Sequence, residues 1–309
     1  MPNQFLRKVG LVVTTGSTGL DLSNMRIRFK TQAMHDGGAP NTAWIRVYNL
    51  KEDTANSIST APKDEFKQVS LQAGYENGNY AVIFSGQVMQ VKKGKESNVD
   101  SYVDIMAADA IEAHTFGFLS KSIDSARPAD QGKIISDELS KYGVKTSPNA
   151  TAALSSGGAG GITLSRGKVA WGLAGARLNE LADSTATTWS IQNGVLEITP
   201  RNGYKAGDAI ELNSQTGMIG MPESTEQGIQ VKCLLNPLLG CGIRVKINNK
   251  DINQTSVMGG MYPKYGSIPL YARVTEDGTY RVLVAEHSGD TRGQEWYTDI
   301  VCLSLDGAN

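Results

Sequence analysis

Apolar and polar residues alternate with a period of two along the C-terminal part of the chain. Four such runs are separated by short breaks rich in glycine, asparagine and aspartate: Ile229–Leu235, Gly242–Ile247, Thr279–His287 and Glu295–Leu303. This alternation, with many β-branched residues, is typical of antiparallel strands that bury one face. Such a sheet must close on itself or pair with another sheet to cover its apolar face and its edges. The pattern predicts a C-terminal β-barrel module over residues 201–309.

The first 110 residues show the same period and predict an N-terminal β-barrel module over residues 1–110. Ile27 and Phe29 alternate with cations in one run. Two longer runs, Tyr80–Lys92 and Asn98–Ala108, are joined by a charged link that contains a glycine. A link of this kind between two alternating runs indicates a hairpin.

Between residues 111 and 200 the period becomes helical. Apolar residues of 128–142 fall on one side of a helix, and Gly143 is placed to cap its C-terminus. A second amphipathic helix, ending near Ala182, is predicted from Val169, Leu173, Leu178 and Leu181. Asn193-Gly194 between two alternating runs is a strong hairpin signal. The sequence therefore predicts a mainly β protein with an α+β insert, in which two β-barrel modules flank a helix-plus-hairpin domain at 111–200.

Two stretches predict irregular structure. The run of serine and glycine from Ser155 to Gly161 is typical of a mobile loop, which limited proteolysis should cut first. Residues 201–227 are polar, and we expect a connector that carries one short strand, Ala209–Leu212.

The chain resembles the baseplate hub proteins of contractile-tailed bacteriophages at both of its ends. Near the C-terminus, the resemblance lies in a strand ending at His287, followed by Gly289–Gly293, Trp296–Thr298 and Cys302. Near the N-terminus, it lies in an extended run, Pro40–Leu50, that ends in Tyr-Asn-Leu and follows a strand containing Arg-Phe. The order of the intervening elements also fits that family.

The resemblance implies a structural protein. Members of the family form a homotrimeric ring between the tail tube and the central spike, so two tube-type β-barrel modules per chain would give a pseudo-six-fold ring. The implied partners are two further copies of the chain, the tail tube protein, the central spike protein and other baseplate proteins. DNA would pass through the channel without specific binding. Because an α+β unit with its own helices cannot continue a barrel ladder, we also expect the insert to lie outside the ring wall. The implied location is the virion tail baseplate, assembled in the host cytoplasm.

The overall charge is nearly zero, with 30 lysines and arginines against 31 acidic residues. No global field therefore recruits nucleic acid or an anionic membrane. No apolar run approaches the roughly 18 residues that a membrane-spanning helix needs. The N-terminal residues lack the pattern of a secretory signal, which predicts folding in a cytoplasm.

The residues that usually carry chemistry form no convincing site. Cys233, Cys241 and Cys302 lack the paired spacing of zinc ligands, even with His287 as a fourth ligand, and are predicted to be buried thiols. The histidines, His35, His114 and His287, are interpreted as surface or turn residues. Asp290–Arg292 is interpreted as a solvated hairpin tip. We therefore predict no catalytic, metal or cofactor-binding residue.

One charge pattern suggests a contact. Arg26, Arg28 and Lys30 lie on one face of a predicted strand. Nucleic-acid binding would need aromatic side chains on the same face, but Phe29 points to the other side. An exposed strand face is the simplest interpretation, and the alternative is an interface with an acidic partner subunit. In either case these cations should face solvent or a neighbouring protein, and the channel should be neutral or acidic.

Two other function classes stay open. A cell-wall hydrolase of the lysozyme type needs two carboxylates roughly 5–9.5 Å apart, and no segment offers an obvious pair. A host-surface-binding module would expose aromatic residues at loop tips, whereas Trp296-Tyr297 lies inside an apparent strand. Loss of turbidity of purified cell walls on adding the protein would contradict the non-enzyme prediction.

Overall fold

A computed structural model describes residues 4–15, 18–35, 37–59, 67–123, 127–156, 167–225, 228–248, 252 and 278–304. The strands are β1 (Arg7–Thr15), β2 (Thr18–Asp21), β3 (Ile27–Met34), β4 (Thr42–Tyr48), β5 (Gln68–Tyr75), β6 (Tyr80–Lys95), β7 (Ser101–Ala108), β8 (Phe118–Ile123), β9 (Lys145–Thr146), β10 (Lys168–Leu173), β11 (Thr187–Gln192), β12 (Val195–Pro200), β13 (Ile210–Leu212), β14 (Met218–Thr225), β15 (Gly228–Leu234), β16 (Arg244–Ile247), β17 (Thr279–Asp290) and β18 (Trp296–Leu303). The helices are α1 (Glu52–Ser59), α2 (Ile111–Phe116), α3 (Pro128–Ser140), α4 (Pro148–Ser156) and α5 (Ala174–Thr185), with a 3-10 turn at Ser214–Thr216. The predicted mainly β fold class is confirmed.

Strands from both ends of the chain form one large sheet of 13 strands. Along its main path the order is β14-β15-β18-β17-β3-β4-β7-β6-β5-β1-β2, while β16 pairs with β17 and with β13. The two ends of the chain meet where β3 pairs antiparallel with β17, with Phe29 opposite Gly289 and Ala33 opposite Ala285. The predicted N-terminal and C-terminal β modules are therefore joined by strand pairing.

The hydrophobic core has three parts. One lies within the N-terminal strands, and Leu235 and Trp296 from the other end of the chain complete it. Trp296 meets Phe29 edge-on, with ring centroids 5.7 Å apart. A second part fills the helical region between Ala110 and Ile198, and a third fills the C-terminal strands. The predicted domain limits at 110 and 200 stay predictions.

The helical region differs from its prediction at one element. Residues Lys168–Leu173 form β10, which pairs with β8, and the helix begins only at Ala174. Val169 and Leu173 were predicted on a helix face, but both are exposed strand residues on either side of the buried Ala170. Gly172, with φ of 118°, lies just before the helix start. A spacing of four residues fits one side of a strand as well as a helix face, and this strand alternates large with small residues rather than apolar with polar ones.

Other parts of this region follow the predictions. Helix α3 ends at Ser140, and Gly143 takes the left-handed conformation with φ of 80° shortly afterwards. Asn193 and Gly194, with φ of 54° and 75°, form the turn of the β11–β12 hairpin. The predicted loop falls partly on α4, which ends at Ser156, while residues 157–161 lie outside the described residues.

The connector 201–227 contains more structure than predicted. The short strand is present as β13, but β14 follows it and pairs with β15. The register of that pair shifts between Ile219 and Glu223, and Gly220 has φ of 72°. This β-bulge interrupts the alternation of apolar residues, so the sequence pattern did not reveal the strand.

Candidate interface surfaces

Eight neighbouring strands of the large sheet share a face that is open to solvent. They run in the order β14-β15-β18-β17-β3-β4-β7-β6, and we call their solvent side the open face. On the open face, residues that lie opposite one another on neighbouring strands form rows across the sheet. One row consists of Lys232, Asp299, Glu286, Gln32 and Thr42. A second row consists of Tyr297, Ser288, Lys30, Trp44, Met106 and Gln90.

Each of the three cations singled out by the sequence is paired with a carboxylate of the same chain. Arg26 Nη2 lies 2.8 Å from Asp290 Oδ2. Arg28 Nη2 lies 3.3 Å from Glu295 Oε2, and Lys30 Nζ lies 3.0 Å from Glu286 Oε2. These pairs connect β3 and the residue before it to β17 and to the β17–β18 turn, so the positive charge of the strand face is balanced locally.

Asp290 is not the solvated turn residue that the sequence indicated. Its side chain is buried, and it accepts hydrogen bonds from Arg26 and from the backbone N–H of Arg292. Burial raises the pKa of Asp290, but these hydrogen bonds outweigh burial and leave the pKa below its ordinary value. Asp290 therefore ties the β17–β18 turn to the start of β3.

A second ionic cluster lies further across the open face. Arg46 Nε donates to Asp104 Oδ1 at 2.7 Å, and its guanidinium lies 3.8 Å from the centre of the Tyr102 ring. Glu96 lies 3.7 Å from the same guanidinium. Here again a cation of the sheet is matched by carboxylates from its own chain.

Two shallow grooves with large apolar side chains in their lining lie on the open face. One, of about 610 Å3, is lined by Trp44, Met89 and Met106 together with polar neighbours. The other, of about 630 Å3, lies beside the bulge of β14 and is lined by Met34, Ile219, Met221, Val284 and Val301, with Glu223, Glu286 and Asp299 at its polar part. Neither groove contains a histidine or cysteine among its lining residues.

The histidines are buried or half-buried, and not the surface or turn residues that the sequence suggested. His35 Nε2 and Thr199 Oγ1 are 2.9 Å apart, and His287 Nδ1 and Thr298 Oγ1 are also 2.9 Å apart. Burial, with Arg281 and Lys205 nearby, lowers the pKa of His35 to about 3. Burial lowers the pKa of His287 to about 4. His114 stacks on Trp189 at 6.1 Å. All three are therefore packing residues.

The cysteines are buried thiols, as predicted. Burial raises the pKa of Cys233 and of Cys241 to about 12, and it also raises the pKa of Cys302. Among the described residues, no three histidine, cysteine or acidic side chains are grouped closely enough to hold a metal ion.

One buried carboxyl group lacks a full set of partners. Asp109 accepts a hydrogen bond from the backbone N–H of Gly194 through Oδ1, while its Oδ2 has no partner among the described residues. Burial raises the pKa of Asp109 to about 6. The cavity of about 380 Å3 beside it has no second acidic residue among its lining residues. Asp109 thus joins the end of β7 to the β11–β12 turn.

No family model and no curated protein matches the sequence. Solved structures do share the fold. The 43 kDa tail protein of prophage MuSo2 from Shewanella oneidensis has a TM-score of 0.59 at 10% identity, covering 96% of this chain and 99% of that chain. A tail protein from Neisseria meningitidis MC58 has a TM-score of 0.56 at 9% identity, covering 97% of both chains.

A third similar structure comes from a secretion system. The E. coli c3393 protein, a component of the type VI secretion system described as similar to the bacteriophage T4 tail proteins gp27 and gp5, has a TM-score of 0.52 at 8% identity, covering 98% of this chain and 76% of that chain. At such low identities the likeness concerns the fold alone. The chain has the fold of phage tail proteins.

Proposed function

We propose that the chain is a structural component of a phage-type tail, and that three copies form the hub ring between the tail tube and the central spike. The observation that carries this proposal is the open face of eight strands. It consists of two four-strand halves, β14-β15-β18-β17 and β3-β4-β7-β6, joined at the β3–β17 pair. Three copies would supply six similar four-strand halves. Such a ring suits a six-fold tube on one side and a trimeric spike on the other.

The two ends of the open face are suited to pairing with another copy. Within the described chain, β14 pairs with β15 on one side and with no strand on the other. Beyond Gln87, no described strand pairs with the outer edge of β6. Unpaired strand edges are sites for strand addition. We infer that β14 of one copy lies beside the second half of β6 of the next.

The charges on these two edges are complementary. β14 carries Glu223, which is exposed, and the second half of β6 carries the exposed Lys92 and Lys95. Opposite charges on neighbouring strands stabilise pairing and fix its register. This complementarity favours a head-to-tail contact, which closes into a ring when the rotation per copy allows it.

In this ring the open face forms the inner wall. Arg28 and Lys30 would then face the channel beside their carboxylates, whereas the sequence predicts that they face solvent or a neighbouring protein. Because these cations are already neutralised, the wall would be nearly neutral and would hold a passing polyanion only weakly. The insert between residues 111 and 200 would lie outside the wall, where it could contact other baseplate proteins. We expect no catalytic activity, and the proposed location is the tail baseplate of the virion.

The first test is the mass of the purified chain by light scattering, with images of the particle down its axis. We expect a species of three 33.1 kDa chains and a ring with a central opening. Zero-length crosslinking should join Glu223 of one copy to Lys92 or Lys95 of another. As a control, the exposed Lys145 in the insert should form no such link to Glu223. A closed particle without a central opening, or crosslinks only within a chain, would contradict the proposal.

A further inference from the structure

A group of exposed apolar side chains lies outside the large sheet, on and beside the two-stranded ribbon formed by β8 and β10. Five large side chains are exposed there at 45–65%: Phe116, Phe118, Val169, Trp171 and Leu173. Phe116 ends α2, directly before the ribbon, and the other four lie on the ribbon itself. Aromatic side chains present roughly 150–250 Å2 each, so the group exposes on the order of 500 Å2. Patches of this size on a monomer are often binding sites.

The strand register explains why these residues share one side. Trp171 lies opposite Ser120, and Leu173 lies opposite Phe118, so the large side chains alternate with inward residues. On the inward side, Leu119, Ala170 and Ile123 are buried. The Phe118 and Trp171 rings meet edge-to-face at 5.4 Å, which holds both rings in place on the outer side. The outer side of the ribbon is therefore an ordered apolar surface, and its inner side is buried against the rest of the insert.

The ribbon also has open strand edges. Within the described chain it contains two strands, so each has one edge without a strand partner. Two-stranded sheets are weakly stable alone, and an added strand would satisfy the backbone groups at an edge. This geometry fits an extended peptide segment better than a globular surface.

The charge of the ribbon indicates the composition of the segment that it could bind. The ionisable residues of β8 and β10 are Lys121 and Lys168, with no acidic residue in either strand. Lys168 lies 3.7 Å from Glu180, whereas Lys121 has no ion pair within the described residues. A positively charged apolar ribbon favours a segment with apolar residues at alternate positions and acidic residues between them.

We propose that the β8–β10 ribbon binds an extended segment of another protein by strand addition, and that this segment alternates apolar with acidic residues. Its area is below the roughly 800 Å2 per partner of a standard interface, but backbone pairing along an edge adds to it. The site lies in the insert, apart from the strand edges that the proposed ring uses, so the two proposals can fail independently.

The test uses the full chain and three capped ten-residue peptides. One alternates valine with glutamate, one alternates valine with lysine, and one has the composition of the first in an order that removes the alternation. Binding is followed by fluorescence anisotropy, and amide hydrogen exchange reports on β8 and β10. We expect saturable binding of the glutamate peptide and at least about tenfold weaker binding of the other two. Exchange should slow along one ribbon edge.

Variants localise the effect. Trp171→Ser and Lys121→Glu should each weaken binding of the glutamate peptide at least about tenfold. Two matched controls, Val99→Ser at the exposed β6–β7 turn and Lys145→Glu on an exposed strand of the insert, should leave binding unchanged. Val169→Ser provides a second change on the same face, and thermal melting checks that every variant is folded.

Several results would overturn the inference. Equal binding of the glutamate and lysine peptides would contradict the proposed preference for acidic residues. Unchanged binding to Trp171→Ser would mean that the peptide binds outside the ribbon. Absence of peptide binding, with both ribbon edges already protected in the monomer, would mean that the chain covers its own ribbon. Self-association that Trp171→Ser abolishes would make a second copy the occupant. None of these results bears on the Glu223–lysine crosslinks that test the ring.

Discussion

At the scale of single residues, buried polar groups mark where distant parts of the chain meet. His35 joins the end of β3 to Thr199 in β12, and Asp109 joins the end of β7 to the β11–β12 turn. Arg281 Nη1 donates to the carbonyls of Arg201 and Gly203 at 2.7 and 3.0 Å. Because these groups are buried, their protonation is coupled to folding.

The first prediction concerns Asp109. Its folded pKa of about 6 lies above the ordinary value of 3.8, so the folded state binds the proton more tightly than the unfolded state. Above pH 6 the buried charge is destabilising, by about 1–3 kcal/mol, and this penalty disappears as the pH falls from 6 towards 4. Asp109→Asn should therefore stabilise the chain at pH 8 and lose most of that advantage by pH 4.5.

Urea unfolding of the wild type and of Asp109→Asn at both pH values measures this difference. Asp130→Asn, on a group that lies outside the Asp109 cavity, serves as a control with the same change of charge. A constant difference between Asp109→Asn and the wild type at the two pH values would contradict the prediction.

The second prediction concerns His35 and His287. Their folded pKa values of about 3 and about 4 lie below the ordinary value of 6.5, so the unfolded state takes up protons first. The stability they contribute is present above pH 6.5 and is lost as the pH falls below it. At pH 5 the loss should be about 2 kcal/mol for each histidine. The slope of unfolding free energy against pH between 7 and 5 should be smaller in His287→Asn, and an unchanged slope would be inconsistent with a neutral buried His287.

At the scale of elements, the β3–β17 pair joins the two halves of the large sheet. Three ion pairs reinforce it, but their surroundings differ. The carboxylate of Asp290 is nearly inaccessible, whereas the side chains of Lys30 and Arg28 are exposed by 60% and 41%. A buried carboxylate depends on its partner far more than an exposed one does.

The third prediction follows from this difference. Arg26→Met leaves Asp290 without its main partner and should lower the unfolding free energy by about 1–3 kcal/mol. Lys30→Met removes an exposed pair and should lower it by less than about 1 kcal/mol. Chemical denaturation of both variants gives the comparison. Equal losses would mean that the burial of Asp290 has no energetic consequence at this junction.

At the scale of the whole molecule, charge is balanced both overall and locally. The chain has a formal net charge of −1, and the cations of β3 and β4 on the open face lie beside carboxylates of the same chain. Attraction of a polyanion requires cations that are free to replace its counterions. A wall made from this face would therefore let nucleic acid pass without retaining it.

The fourth prediction tests this property. Replacing Arg26, Arg28 and Lys30 together by glutamine should weaken assembly or leave it unchanged, without altering the affinity of the chain for a short DNA duplex. Binding is measured at low and moderate salt, since a true polyanion site would show a steep salt dependence. A large loss of DNA binding in the triple variant would assign these residues to a nucleic-acid path.

Elements that depend on interactions between nearby residues are predictable from the sequence. Alternation predicted the long β6–β7 hairpin, the Asn193-Gly194 pair predicted the β11–β12 turn, and helical spacing predicted α3. The small apolar character of the three cysteines predicted their burial. Each of these depends on neighbours within a few residues, so the pattern contains the information.

Which elements meet depends on contacts between distant parts of the chain. The pairing of β3 with β17 joins residues at least 250 positions apart, and no local pattern specifies it. The burial of His35, His287 and Asp290 follows from such long-range contacts, and so does the pairing that makes strands of Lys168–Leu173 and Met218–Thr225. Short segments whose apolar pattern is ambiguous take the conformation that their partner strands stabilise, because backbone pairing and burial outweigh weak local preferences.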